Sequence, residues 1–385
     1  MRRSGAARVV VIGAGVFGGW TALSLLRGGA RVTLVETRSA GNPLSSSGGE
    51  SRVIRHFHQK RVYVELAQRS LQLWKQADGQ WGQGLLHRKG VLLLSQKNDF
   101  PDLAAEHMRA LGVAFEALDP AALRKRYPHI MTEDIEQALF EPDAGYIDAR
   151  RACLAVRDAF VNEGGAYLQG TAVPGAIRNG EMEHLVLEDG TRLGAEQWVF
   201  ACGPWLKRLF PVELGSRLTI SRQEVYFFRP SAGWVEMVRQ LPVWADLGEA
   251  FWYGIPGPDG LFKIADDSRG PEVDPETQSR EPGVDGIAAA RDHMEMRFPV
   301  LKGADYVDAR VCQYALTPDE GFILARHPGA ANAWLVGGGS GHGFKHGPAL
   351  GEITAAAVLG HRPPPTVFAL ERFGTAGQPP QDQGQ

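Results

Sequence analysis

Three glycines stand at the spacing G-x-G-x-x-G in Gly13-Ala14-Gly15-Val16-Phe17-Gly18, directly after the apolar run Val9-Val10-Val11-Ile12. A turn of this kind can hold a pyrophosphate: Gly13 allows the tight turn, Gly15 lets the backbone approach the phosphates, and Gly18 lets the next helix pack close on the strand. The N-terminus of that helix faces the phosphates with its free N–H groups. Glu36 lies 23 residues beyond Gly13, at the end of a second run, Arg31-Val-Thr-Leu-Val35. A carboxylate there hydrogen-bonds ribose hydroxyls and repels a 2′-phosphate, so the residues point to FAD or NAD and away from NADP. Glycine-rich turns are common in themselves; the strand before, the helix after and the acid beyond make this one a dinucleotide fingerprint. Cys153, Cys202 and Cys312 are far apart and form no C-x-x-C, which argues against a zinc site or a disulfide framework and for a reducing cytoplasm. His342 and His346 have no acidic partner at ligand spacing, so no metal is expected.

These residues need a scaffold, and 385 residues suffice for two or three structural units at roughly 150 residues each. Val9–Ile12 reads as a buried parallel strand, Trp20–Arg27 as a helix and Arg31–Val35 as the second strand. Strand and helix do not alternate regularly after that, which counts against a two-half NAD dehydrogenase and for an inserted segment. Helices are expected over 62–76 and 101–111, a short strand over 90–95, and a helix from Asp148 to Asn162 with Asp148 as N-cap. A hairpin is expected around Asp189-Gly190, a buried strand over 197–201, and an antiparallel sheet from the period-2 run 218–228 and the aromatic-rich stretch 242–265. Ala333–Val336 is a further buried strand, followed by glycines 337, 338, 339, 341 and 343 and a helix over about 348–359. Residues 376–385 lack apolar content and read as a flexible tail. No internal repeat is present.

Composition narrows the partners. Lys+Arg 41 against Asp+Glu 44 gives a net charge of −3, so no basic field invites nucleic acid. The apolar stretch after Arg2 and Arg3 imitates a secretory signal. It carries four glycines and runs without a cleavage site into the Arg31 strand, and its removal would take the first strand away. No run approaches the roughly 20 apolar residues of a membrane span, and a protein without membrane association is expected.

Four further segments, with the fingerprint, resemble the monomeric sarcosine oxidase family, which includes N-methyltryptophan, pipecolate and fructosyl-amino-acid oxidases among the D-amino-acid-oxidase-like flavoproteins. They are Ser45-Ser-Ser-Gly-Gly-Glu-Ser-Arg52-Val-Ile-Arg55-His56, Tyr253-Gly-Ile-Pro ahead of Leu261-Phe-Lys263, Cys312-Gln-Tyr314-Ala-Leu-Thr-Pro-Asp319-Glu320, and Gly339-Ser-Gly-His-Gly-Phe-Lys345. The likeness spans residue 8 to about 360. It implies an α/β plus α+β architecture: a Rossmann-like FAD domain (1–82, 145–217, 310–375) interrupted by a substrate domain with a mixed, largely antiparallel sheet (83–144, 218–309).

The resemblance also implies roles. Gly13, Gly15, Val16, Phe17, Gly18, Glu36 and Ser47, together with Gly339, Gly341, Gly343, Phe344 and Lys345, would hold FAD. Cys312 would link it through an 8α-thioether; a buried, inert cysteine is the alternative. Arg55 and Lys345 would bind the substrate carboxylate, for which an Arg fork and a Lys point charge are apt. Arg52 would act electrostatically beside the flavin ring. Lys263 would promote reduction of O₂, because a fixed cation stabilises superoxide as it forms. Tyr253 and Tyr314 would line the pocket. One departure stands out: four residues beyond the lysine the sarcosine oxidases carry a histidine, and this chain has Asp267. Asp267 either meets a more cationic or polyhydroxylated substrate or pairs with Lys263 or Arg269.

The function implied is oxidation of a secondary or N-substituted amino acid by a cytoplasmic, monomeric flavoenzyme, with O₂ reduced to hydrogen peroxide. Two rivals are a flavin dehydrogenase with another electron acceptor and a noncatalytic flavin-binding subunit.

Overall fold

The computed structural model describes residues 5–96 and 98–374; the expected tail over 376–385 lies outside them. The chain forms two compact units, one from the residues up to Glu50, Asp148–Ser221 and the residues from Tyr314 on, the other from Ser51–Ile147 and Arg222–Gln313. Residues 51–82, read from sequence with the cofactor domain, lie in the second unit. The strand Ser51–Ile54 joins Gly145–Asp148 and Leu86–His87 in a small sheet, and Val64 of the helix Arg61–Trp81 enters a core shared with Val91 and Leu93.

The first unit is built on a six-stranded sheet in the order Ile323–His327, Ala330–Gly337, Gln197–Phe200, Arg8–Ile12, Arg31–Glu36, Ala166–Gln169. All neighbours are parallel except the first pair. Its inner strands are apolar without alternation because both faces are covered: Val11, Leu34, Val199 and Leu335 are fully buried. The helices Val16–Arg27, Ala149–Asn162 and Gly347–Val358 belong to this unit. Asp148 does occupy the N-cap position of the second of these, without a capping bond from its side chain. Its carboxylate instead accepts from Arg151 at 2.5 Å.

The second unit carries an eight-stranded sheet in the order Asp305–Leu316, Thr219–Arg229, Phe262–Asp266, Phe251–Pro256, Val243–Leu247, Val91–Ser95, Gln137–Glu141, Glu116–Leu118. The pairing Val243–Leu247 with Val91–Ser95 is parallel, and the strands Phe262–Asp266, Phe251–Pro256 and Val243–Leu247 run antiparallel to one another. This is the mixed, largely antiparallel sheet expected. Each face has its own core. One gathers Trp244, Phe262, Ile264, Met294 and Phe298; the other gathers Phe57, Val91, Leu139, Ala245 and Ile255. Several elements were not legible in the sequence, two of them in this unit's packing. The strand Gln137–Glu141 is buried over its last four residues and shows no alternation, and the helix Val284–Arg297 buries only Ala290, Met294 and Arg297. Among the described residues, no helix is long and apolar enough to cross a membrane.

Candidate active site

In the first unit, the chain leaves the strand Arg8–Ile12 at Gly13 with φ of 99°, where a Cβ would stand 2.5 Å from the carbonyl oxygen of Ala201. At Gly18 a Cβ would fall 1.8 Å from the carbonyl oxygen of Gly13. Only glycine fits either place, and the two roles expected of them, tight turn and close helix packing, are met. The helix starts at Val16 with Gly15 as N-cap, no capping side chain from that residue and no acid in its first turn. The Val16 N–H donates to Ser47 Oγ at 3.1 Å, so Ser47 fixes this end of the helix. Glu36 ends the neighbouring strand, and its carboxylate accepts from the Ala14 N–H at 2.7 Å and the Arg38 N–H at 3.2 Å. A turn of small residues, a helix N-terminus without acids and a carboxylate beside it make a cradle that fits the pyrophosphate and ribose of FAD.

The second glycine-rich turn lies in the same unit. Gly343 packs so tightly that a Cβ would come within 2.8 Å of the Phe17 ring, so the two glycine turns are in contact through Phe17. Tyr314 lies against Gly341, and Ser340 ties the turn down by donating its N–H to the Ala315 carbonyl at 3.0 Å. Phe344 and Lys345 are buried; the Lys345 ammonium donates to the His342 carbonyl at 3.1 Å.

In the second unit, Ser51 is the hub. Its carbonyl accepts from Lys263 Nζ at 3.0 Å and from Arg52 Nη1 at 2.9 Å, and its hydroxyl lies 3.3 Å from the same Nζ. Arg52 Nη2 stands 3.9 Å from the Cys312 sulfur. Lys263 is 3 % exposed. Ile255 is its partner across the antiparallel pair, with Ala265 opposite Tyr253, so Lys263 and Tyr253 share a sheet face.

Arg55 donates from Nη1 to the Phe57 carbonyl, with its guanidinium carbon 4.3 Å from the Phe57 ring centroid. Burial lowers its pKa from the usual arginine value, opposed first by the charge of Glu141 and then by that of Asp267. Asp267 therefore acts electrostatically on Arg55. Arg269 bonds the Asp267 backbone carbonyl, at 3.1 Å. Burial, with help from the charge of Glu36, pushes the Cys202 thiol well above the ordinary range, which keeps it protonated.

Residues 8–357 match the family described as FAD dependent oxidoreductase. The chain belongs to the FAD-dependent oxidoreductase family. It is 31% identical over 365 residues to the monomeric sarcosine oxidase of Streptomyces avermitilis, covering 91% of this chain and 93% of that one. It is 30% identical to the human peroxisomal sarcosine oxidase, covering 96% and 97%. In fold it is similar to the crystal structure of L-proline dehydrogenase from P. horikoshii, with a TM-score of 0.83, 21% identity, and 96% and 98% of the chains covered. The candidate site of this FAD-dependent oxidoreductase also contains residues that no motif in the sequence marks. Ser51 stood inside a quoted segment but carried no chemistry of its own. Phe57 reads as plain core, and Glu141 lies some 85 residues from the stretch it binds, with no motif to mark it.

Proposed function

We propose that this FAD-dependent oxidoreductase oxidises a small secondary or N-substituted amino acid and passes the electrons to O₂. The observation that carries the reading is Arg55, a half-buried guanidinium held by the Phe57 carbonyl and ring. A cation placed so binds a carboxylate bidentately. The names of the curated relatives support an N-methyl amino acid as the kind of substrate.

Bound FAD supplies the two-electron acceptor, taking hydride from the α-carbon of a neutral amine whose imine product then hydrolyses, and returning the electrons to O₂ as hydrogen peroxide. The glycines at 13, 15 and 18, with Val16 and Phe17, receive the pyrophosphate, and Glu36 the ribose. Ser47, Gly339, Gly341, Gly343 and Phe344 shape the rest of the cofactor's surroundings. Cys312 carries the 8α-thioether; Arg52, against its sulfur, is the cation of that neighbourhood. Arg55 and Lys345 bind the substrate carboxylate. Tyr253 and Tyr314 line the pocket, and Asp267 tempers the charge of Arg55. Lys263 stabilises the superoxide anion formed when oxygen takes its first electron. Its hydrogen bonds to Ser51 fix the ammonium beforehand, so no reorganisation is needed at that moment. Three cysteines that form no disulfide suit a reducing compartment such as the cytoplasm.

The test is an anaerobic titration of the yellow protein with N-methyl and cyclic amino acids, followed by air. Bleaching of the flavin by at least one of them, with one peroxide formed per amine oxidised, is the expected result. No bleaching by any amine would discard the reading, and bleaching without peroxide would redirect the electrons to another acceptor.

A further inference from the structure

Among the residues to which the resemblance gives no role, one buried carboxylate is aimed at the stretch that carries Arg55. Glu141 ends the strand Gln137–Glu141, is 1 % exposed, and is paired with Val91 in the sheet. Its Oε1 accepts from the backbone N–H groups of His56 and Phe57, each at 3.0 Å. Its Oε2 accepts from the His56 N–H at 2.9 Å and from His56 Nδ1 at 2.7 Å. Three donors thus converge on two oxygens, all on the two residues that follow Arg55.

The second of them, Phe57, also holds the guanidinium. Phe57 supplies the carbonyl that Arg55 bonds and the ring over which it lies. Glu141 binds the N–H of that same residue, so the ring and carbonyl under Arg55 are anchored through a strand of the central sheet. An ionised carboxylate accepts at both oxygens, whereas glutamine accepts at only one, keeps the contact to the His56 ring only in the tautomer whose Nδ1 accepts, and removes the negative charge. The negative charge has a second effect: it acts on Arg55 more strongly than that of Asp267. A carboxylate needed only to hold the chain would serve anywhere along it; this one grips Phe57, on whose carbonyl and ring Arg55 rests, and the residue between the two.

We propose that Glu141 is the positioning residue for Arg55, fixing the backbone of His56 and Phe57 so that the guanidinium stands in one orientation for the carboxylate of the substrate. The inference rests on the reading of Arg55 as the carboxylate-binding residue, and the two can be tested apart. The probes are methoxyacetate and tetrahydrofuran-2-carboxylate, ether analogues of an N-methyl and a cyclic amino acid that keep the carboxylate and lack an oxidisable amine. Their dissociation constants are read from the flavin spectrum of the FAD-loaded full chain in wild type, Glu141→Gln, Arg55→Ala and the double variant. Flavin content and Tm are recorded alongside.

Glu141→Gln should weaken the tighter probe about tenfold, Arg55→Ala should weaken it at least as much, and the double variant should bind no worse than Arg55→Ala. A purely structural role would lower Tm or flavin content and leave the dissociation constant of the loaded fraction unchanged. Wild-type affinity in Glu141→Gln with weakened binding in Arg55→Ala would overturn the positioning role and leave the reading of Arg55 intact. Additive losses in the double variant would likewise overturn it. Wild-type affinity in Arg55→Ala would instead remove the reading of Arg55 itself. Should Glu141→Gln give no flavin-loaded protein, Glu141→Asp, which keeps the charge and withdraws it by one methylene, takes its place in the same comparison. Hydrogen exchange on the wild type adds a check independent of any variant: the His56 and Phe57 amides should exchange slowly, and fast exchange would overturn the proposal.

Discussion

The ammonium of Lys263 and the backbone carbonyl of Ser51 stand 3.0 Å apart, with the Ser51 hydroxyl 3.3 Å from the same nitrogen. A lysine 3 % exposed is thereby held in place by two neutral oxygens, partners that bring no negative charge to it. That suits a group that must stabilise an anion appearing only during turnover.

Lys263→Met keeps the apolar stem and deletes the cation. Reoxidation of the reduced enzyme by air should slow by at least about 10²-fold, the loss typical of one such stabilising group. Anaerobic reduction of the flavin should change much less, because hydride transfer from a neutral amine creates no anion that the lysine must hold. Stopped-flow traces of the two halves decide, and unaltered reoxidation would make Lys263 a structural residue.

Cys312→Ser addresses the covalent link. Acid-precipitated wild-type protein should stay yellow and show an intact mass raised by that of FAD, while the variant releases its flavin into the supernatant. A colourless wild-type pellet from fully loaded protein would leave Cys312 as a thiol lying against Arg52.

Arg55→Ala and Lys345→Ala should each weaken a competitive carboxylate inhibitor by well over tenfold with FAD retained. A charge left without its buried partner costs roughly 2–5 kcal/mol. Inhibition titrations that match wild type in both variants would put the anion site elsewhere.

Two glycine substitutions should move stability in opposite directions. Gly18→Ala drives a methyl into the Gly13 carbonyl, with 1.8 Å available, and should cost about 1–3 kcal/mol or more along with flavin content. Gly79→Ala, in the helix Arg61–Trp81 with nothing within 4 Å of the added carbon, should raise stability by roughly 0.5–1 kcal/mol. Thermal melts of the two variants provide the comparison.

Acid stability should report on Asp134. Its carboxyl is held down to about 2, chiefly by hydrogen bonds from Arg297, which is itself buried and also bonds Asp246 at 2.7 Å. A carboxyl lowered in the folded state stabilises the protein above its ordinary pKa, and that contribution is lost as pH falls from about 4 toward 2. The Tm of wild type should therefore drop more steeply across this window than that of Asp134→Asn. Parallel slopes would mean that the pair contributes nothing to acid stability.

Local chemistry determined much of this protein. The apolar run before Gly13, the glycine spacing and Glu36 foretold the strand, turn, helix and acid that the first unit displays, because each depends on neighbours a few residues away. The antiparallel sheet of the second unit was legible over 218–265 for the same reason, since alternation is a property of single strands. The same reading put residues 51–82 with the cofactor half. Only tertiary packing sends them to the other unit, where Val64 meets a core drawn from distant strands. The candidate site divides in the same way. Arg55, Lys263 and Cys312 were found because they sit in recognisable segments. Ser51 and Glu141 were not, because their importance lies in the atoms they meet: a backbone carbonyl bears no sequence signature, and a carboxylate on strand Gln137–Glu141 becomes the anchor of His56 and Phe57 only once the chain between them has folded back.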